Sequence, residues 1–188
     1  ELRLPATKQI WAAFAEQSDK EGWPAARLLT VIAENELAER DRRRIERHLL
    51  EANLPAGKSL DTFDFNVVPT VSRAQVTALA SGDRWLDEGA NLILIGSPGA
   101  GKSHLAAAIG LALIEHGYRV HHTRTTDLVQ RLQVARRELA LQAAIDRLDK
   151  FDLLILDDLG TCQPVLDSYF SDSVLFEARA RGSVAQFT

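Results

Sequence analysis

Eight consecutive residues, Gly96-Ser-Pro-Gly-Ala-Gly-Lys102-Ser103, match the phosphate-loop pattern G-x-x-x-x-G-K-[ST] in full. Glycines in such a loop permit positive φ and remove side chains, so successive backbone N–H groups can point at a phosphate. We expect this of Gly96, Gly99 and Gly101. Lys102 can reach the β- and γ-phosphates of a nucleotide, and the Ser103 hydroxyl can ligate Mg²⁺. The predicted nucleotide-binding residues are Gly96, Ser97, Pro98, Gly99, Ala100, Gly101, Lys102, Ser103 and His104, although packing is the simpler interpretation of the His104 side chain.

A second pattern, Leu153-Leu-Ile-Leu-Asp157-Asp158, places two carboxylates directly after four apolar residues. Such acids lie at the carboxyl end of a buried strand, where open α/β sheets bind their ligands. Asp157 suits the Mg²⁺ shell, and Asp158 is placed to orient the water that attacks the γ-phosphate. Lys102 and Asp158 are therefore the predicted catalytic residues, and Ser103 and Asp157 are the predicted metal ligands. The sequence has no T/N-K-x-D guanine-reading motif, so ATP with Mg²⁺ is the expected cofactor.

The residues around these motifs predict elements that would position them. Apolar runs indicate strands at 92–95 and 153–156, and a third strand is expected at 119–123. Helices are expected at 102–116, ended by a glycine, and after Asp127, which has a good N-cap side chain. Strand and helix alternate, which predicts an α/β P-loop NTPase core with a three-layer parallel sheet. His121 and His122, on the middle strand, have no metal partner at ligand spacing and are interpreted as structural.

The first part of the chain predicts helices. Apolar stripes run through residues 5–51, and Glu21-Gly-Trp-Pro24 interrupts them. Ser72 has capping-box spacing to Gln75 and predicts another short helix. We expect three segments: a helical N-terminal segment at 1–60, a linker with short helices at 61–90, and an ATPase core at 91–188.

Composition and charge narrow the class of protein. The 188 residues carry a net charge of −4 and one Cys, which excludes an internal disulfide and favours a reducing, cytoplasmic compartment. No apolar run approaches the ~20 residues that span a bilayer, so no membrane is expected. Two arginine-rich patches are either solvated helix faces or phosphate-contacting surfaces. They comprise Arg40, Arg42, Arg43, Arg44 and Arg47, and Arg119, Arg124, Arg131, Arg136 and Arg137.

The ordered set of motifs resembles the IstB-like helper ATPases of bacterial insertion sequences, relatives of the DnaC-type helicase loaders in the AAA+ superfamily. The resemblance covers about residues 1–160. It includes Leu2-Arg-Leu-Pro5, Phe63-Asp-Phe65, Asn91 to Leu105, Gly117-Tyr-Arg-Val120 and Leu153 to Gly160. It implies an ATP-binding homo-oligomer that assembles on double-stranded DNA without reading its sequence. It also implies a partner transposase that the protein directs to target sites.

The end of the chain departs from that family. Only 28 residues follow Gly160, and the sensor strand and arginine finger of the family are not recognisable there, although Arg179 and Arg181 are candidate finger residues. Val174-Leu-Phe-Glu177 resembles a further helix, and Val184 to Phe187 resembles a trace of the fourth strand. We therefore expect a truncated copy with a gap between its first and third strands. The alternatives are a helicase-loader-like ATP switch, or a remnant with weak ATP binding and no turnover.

Overall fold

A computed structural model of the chain describes residues 4–82, 85–158 and the strand at 177–180. The chain divides into two compact units, residues 1–47 and 48–188, and the boundary falls within a long helix. Among the described residues, no helix has the length and apolar character needed to cross a membrane.

The first unit contains helix α1 (Pro5–Glu21) and most of helix α2 (Ala25–Ala52). Gly22 ends α1 in the left-handed conformation, with φ 63°, and its N–H donates to the Ser18 carbonyl. The predicted break is therefore confirmed. The Glu36 carboxylate of α2 accepts hydrogen bonds from the backbone N–H and the hydroxyl of Thr7, at 3.1 and 3.2 Å, which joins the start of α1 to α2.

The second unit begins with helix α3 (Arg73–Ala80), whose first turn is capped by Ser72, as its spacing predicted. An α/β core follows. Helix α5 is capped by Arg124 through its backbone rather than by Asp127, so that detail of the prediction was wrong. The Asp127 side chain instead lies in the first turn, where a carboxylate interacts favourably with the helix dipole. The core elements are β1 (Asn91–Ile93), α4 (Lys102–Glu115), β2 (Val120–Arg124), α5 (Thr125–Arg137), α6 (Leu141–Leu148), β3 (Leu153–Asp157) and β4 (Glu177–Ala180).

The sheet has the strand order β1-β4-β3-β2. Strands β2 and β3 are parallel, with Val120 opposite Leu153, as expected of the α/β core. Strand β4 lies between β1 and β3 and is antiparallel to both, so the expected gap between these strands is not seen. Glu177 and Arg179 lie in β4, and the helix predicted to include Glu177 is not formed there. Residues 174–176, Arg181 and Val184 to Phe187 lie outside the described residues.

Helix α4 packs on one face of the sheet and supplies much of the core, including Ile109, Leu113 and Ile114. It approaches closely because Gly110 has no side chain: a Cβ there would lie 2.8 Å from Ile155 Cδ1. A Cβ at Gly110 would also lie close to the side chain of Val120 in β2. The next residue along β2, His121, points to the opposite face of the sheet. There its ring stacks on Phe151, and it lines a cleft with residues of α5 and α6. Helices therefore cover both faces, and α4 begins at the edge where β3 ends.

Candidate nucleotide-binding site

The phosphate loop joins β1 to α4 and depends on two glycines in the left-handed region. Gly99 has φ 81° and Gly101 has φ 82°. Any residue with a side chain would adopt this conformation only at a cost in free energy. All three glycines permit a positive φ, and Gly99 and Gly101 adopt one whereas Gly96 does not. At Gly101 space is short as well, because a Cβ would lie 2.9 Å from Phe63 Cε2. The loop is thus shaped by its own glycines and by a ring from the preceding segment.

Lys102, the first residue of α4, folds back over the loop. Its ammonium donates hydrogen bonds to the carbonyls of Gly96 and Ser97, at 2.7 and 2.8 Å. The charge therefore lies inside the curve of the loop, beside the helix N-terminus, where a phosphate group is favoured by the orientation of backbone N–H groups and by the helix dipole.

A cleft of about 660 Å³ runs along the phosphate loop. Its volume falls within the range of small-molecule sites. One side is formed by the loop itself, from Gly96 to Lys102. A second part of the lining is mostly apolar and comes from the segment between α2 and α3, including Phe63, Val67, Val68, Pro69 and Val71. The cleft therefore combines a phosphate-binding end with an apolar wall that suits a planar base.

The two predicted metal ligands lie together. The Ser103 hydroxyl donates to Asp157 Oδ1 at 3.3 Å, although 54 residues separate them. Among the described residues, no cluster of three or more His, Cys, Asp or Glu side chains is arranged to bind a metal ion. Magnesium does not need one, because it retains several waters and takes the rest of its shell from one or two protein oxygens and the substrate phosphates. A hydroxyl beside a carboxylate at the phosphate loop therefore fits Mg²⁺.

Asp158 follows directly after β3 and has φ 58°, which is uncommon for a residue with a side chain but tolerated by Asp. Its backbone N–H donates to Asp157 Oδ1 at 2.9 Å. The left-handed turn ends the strand and leaves the Asp158 side chain exposed at the sheet edge that carries the phosphate loop. Its role as a water-orienting carboxylate stays a prediction.

The His104 side chain lies on the segment before α3 rather than in the cleft. Its Nε2 is 3.1 Å from the Ser59 carbonyl and 3.0 Å from Thr62 Oγ1, and its ring meets Phe63 edge-on. This contact fixes Phe63 against Gly101. Only the backbone of His104, in the first turn of α4, faces the end of the helix that would meet a phosphate.

One residue at the site was not predicted. His122 is buried, and its Nε2 lies 3.6 Å from Asp157 Oδ2, whereas the sequence analysis predicted only a structural role for it. It shares a sheet face with Val120 and Ile155, because alternate residues of a strand face the same side. That alternation was visible in the sequence, but the register that brings β2 beside Asp157 was not.

Residues 1–172 match the family of IstB-like ATP-binding proteins. The chain belongs to that family. Its α/β P-loop core, with the phosphate loop between β1 and α4, agrees with the fold expected from the resemblance.

Relatives in this family come from several bacteria. An insertion-sequence ATP-binding protein of Sinorhizobium fredii is 67% identical over 94% of this chain and 58% of its own length. One from Geobacillus stearothermophilus is 32% identical over 85% of this chain and 63% of its own length. The ATP-binding protein of insertion sequence IS21 from Pseudomonas aeruginosa is 34% identical over 79% of this chain and 56% of its own length. The chain thus spans about three fifths of the length of the relatives it matches.

Proposed function

We propose that this IstB-like chain binds ATP with Mg²⁺ at the phosphate loop and acts as a helper ATPase in transposition, assembling on DNA and assisting a transposase in target selection. The observation that carries the proposal is the hydrogen bond between Ser103 and Asp157, because it joins the phosphate loop to the acidic end of β3. The relatives named for insertion sequences favour this function over the helicase-loader alternative.

Each part of the site has a defined task in this proposal. The backbone of the loop from Gly96 to Gly101 and the first turn of α4 bind the β-phosphate. Lys102 exchanges its two carbonyl partners for phosphate oxygens. The apolar wall at residues 67–71 contacts the adenine and the ribose.

Ser103 and Asp157 are the residues that would bind Mg²⁺ in this proposal. When bound, Mg²⁺ would supply charge neutralisation between the β- and γ-phosphates. Asp158 orients a water molecule for attack on the γ-phosphate and accepts its proton. The carboxylate is exposed at the edge of the sheet, and it therefore depends on neighbouring groups to exclude competing water.

The nucleotide proposal is tested by titrating a fluorescent ATP analogue into wild type, Lys102→Ala and Lys150→Ala. Both lysines are basic residues of the second unit, but only Lys102 lies at the loop. We expect Lys102→Ala to weaken binding at least about tenfold, the loss of one charge-assisted phosphate contact of about 1.5–3 kcal/mol. Lys150→Ala should bind as wild type does. Equal affinity in all three proteins would refute the site.

The DNA part of the proposal concerns the two arginine patches, which differ in their neighbours. Helix α2 contains six arginines and six acids, and its charges pair along the helix. The pairs are Arg40–Glu36, Arg42–Glu39, Arg42–Glu46, Arg43–Glu39 and Arg44–Asp41. Such pairs contribute little stability, but they cancel the local field that would attract a phosphate backbone.

In the described part of the chain, the arginines at α5 lack the ion pairs that are formed along α2. Arg124, Arg131, Arg136 and Arg137 are exposed, and none forms an ion pair with a described acid, while the helix itself has one acid, Asp127. We therefore assign the DNA contact to α5 rather than to α2. DNA affinity depends on local positive charge and falls with salt according to the number of phosphates contacted.

Two triple variants separate these surfaces: R131A/R136A/R137A on α5 and R42A/R43A/R44A on α2. Binding to a labelled 30-base-pair duplex is measured at several salt concentrations with ATP and Mg²⁺ present. The α5 variant should lower the slope of log K against log salt by about 2–3, close to 0.9 per lost phosphate contact. The α2 variant should keep the wild-type slope. The opposite pattern would move the contact to α2, and no DNA binding by wild type would refute the DNA assignment.

A further inference from the structure

The two carboxylate oxygens of Asp157 differ in their hydrogen-bond donors. Oδ1 accepts hydrogen bonds from the Ser103 hydroxyl and the Asp158 backbone N–H, at 3.3 and 2.9 Å. The backbone carbonyl of Asp157 accepts from the buried Thr125 hydroxyl at 2.9 Å. Among the described residues, Oδ2 has one nitrogen neighbour, His122 Nε2, at 3.6 Å. Two donors thus hold Oδ1, and His122 is the residue placed to hold Oδ2.

His122 has a buried ring nitrogen without a hydrogen-bond partner among the described residues, which a purely structural role does not explain. The residue is 9% exposed, and Nε2 is fully buried without a hydrogen-bond partner among the described residues. Buried polar nitrogens are nearly always paired, so an unpaired one beside a carboxylate oxygen indicates a contact that forms in the working state. A distance of 3.6 Å is too long for a hydrogen bond, but a small rotation of either side chain shortens it.

The imidazole ring of His122 can act as a hydrogen-bond donor to the Asp157 carboxylate. The neutral ring carries one N–H, and a carboxylate neighbour favours the tautomer with hydrogen on Nε2. The neutral donor orients Asp157 without cancelling the negative charge that a cation needs.

We propose that His122 is a positioning residue: its Nε2–H donates to Asp157 Oδ2 and thereby keeps Oδ1 turned toward Ser103 and toward Mg²⁺. The inference rests on the proposed function, since it concerns the same nucleotide and metal site. It assigns a role to a residue of β2, a strand outside the phosphate loop and the acidic end of β3. Groups that orient a metal ligand in this way typically change metal affinity by 10–100-fold when removed.

The test compares His122→Leu, which removes the donor, with His122→Gln, whose amide nitrogen can reach the position of Nε2. His121→Leu is the matched control, because His121 is the next residue on β2 and faces the other side of the sheet. For each protein, the affinity for the fluorescent ATP analogue is measured in Mg²⁺ and in EDTA, and thermal unfolding is recorded without nucleotide. The ratio of the two affinities reports the coupling between Mg²⁺ and nucleotide.

We expect His122→Leu to lower that ratio by about tenfold, while its affinity in EDTA stays near that of wild type. His122→Gln and His121→Leu should keep most of the wild-type ratio. A wild-type ratio in folded His122→Leu overturns the inference, as does an equal loss in His122→Leu and His122→Gln. If His122→Leu does not fold, His122→Asn replaces it, because the shorter amide cannot reach Oδ2, and an Asn ratio equal to that of Gln overturns the inference.

Failure of the inference differs visibly from failure of the proposed function. Wild type that binds nucleotide equally with Mg²⁺ and with EDTA overturns the role of His122 and leaves nucleotide binding intact. Wild type that binds no nucleotide, like Lys102→Ala, overturns both.

Discussion

Alanine substitutions at the three glycines of the phosphate loop should change the stability of the second unit to very different extents. Gly101 combines a left-handed backbone, with φ 82°, and a Cβ position 2.9 Å from Phe63 Cε2. Gly99 has a similar backbone, with φ 81°, but open space around it. Gly96 is outside the left-handed region, and its Cβ would meet only ordinary contacts at 3.7 and 3.9 Å. The series therefore separates the backbone cost from the steric cost.

The magnitudes follow from those geometries. A left-handed alanine costs about 1–2 kcal/mol, and forcing a methyl group against a packed ring costs about 1–3 kcal/mol. Replacing glycine also stabilises the folded state by about 0.4–1 kcal/mol through the unfolded chain. The expected free-energy losses are about 2–4 kcal/mol for Gly101→Ala and about 0.5–1 for Gly99→Ala, whereas Gly96→Ala should gain about 0.4–1 kcal/mol. At about 2–4 °C per kcal/mol for a chain of this size, Gly101→Ala should lower Tm by roughly 5–15 °C.

The assay should report on the second unit alone. Trp11 and Trp23 belong to the first unit and Trp85 to the second, so a Trp11→Phe, Trp23→Phe background leaves one fluorescent reporter there. Trp85 is partly buried, and its ring N–H donates to the Leu79 carbonyl. Urea unfolding followed at this tryptophan gives the stability differences without nucleotide.

A second substitution identifies the steric term. Phe63→Leu removes the ring atoms that meet the new methyl group, so it should offset part of the cost of Gly101→Ala by a coupling of about 1 kcal/mol or more. The same change should add independently to Gly99→Ala. The reasoning is refuted if Gly101→Ala is as stable as Gly96→Ala, or if Phe63→Leu couples equally to both left-handed positions.

Three further predictions concern the supports of the site and the first helices. Thr125→Val should cost about 0.5–1.5 kcal/mol because it removes the hydrogen bond to the half-buried carbonyl of Asp157, whereas Thr125→Ser should not; urea unfolding compares them. Hydrogen bonds from guanidinium groups one turn further along α2 lower the pKa of Glu39 to about 2. Its stabilising contribution is therefore present above its unfolded pKa, near 4.3, and lost as pH falls toward 2. Glu39→Gln should flatten this part of the pH profile in unfolding measurements, and an unchanged profile would contradict the assignment. Gly110→Ala should destabilise by about 1–2 kcal/mol net of its better helix propensity. Ile155→Val, which removes the opposing methyl, should reduce that loss, and additivity of the two changes would exclude the contact.

The parts of the fold that the sequence predicted are those with local causes. The glycine loop lies between a strand and a helix that begins at Lys102, as expected, because the strand run and the turn residues adjoin in the chain. Gly22 and Ser72 end and begin helices for equally local reasons. Strand β3 ends at Asp157, where an apolar run meets a carboxylate.

The parts that were not predicted depend on residues far apart in the chain. Strand β4 has the sequence Glu-Ala-Arg-Ala, without an apolar run, and its position comes from pairing with β1 and β3 rather than from local preference. Phe63 meets Gly101, and His122 meets Asp157, through tertiary packing and strand register. Periodicity identifies a strand and its two faces, but the neighbour across the sheet requires the register.

The double hydrogen bond of Lys102 has a thermodynamic consequence for ligand capture. A lysine side chain that moves freely loses about 2 kcal/mol of rotamer entropy when it is fixed. Here the ammonium is already fixed by the carbonyls of Gly96 and Ser97. An arriving phosphate therefore exchanges one set of partners for another instead of ordering a mobile chain. Calorimetry should then find a smaller entropic penalty than for a lysine that starts in solvent, together with a smaller enthalpic gain.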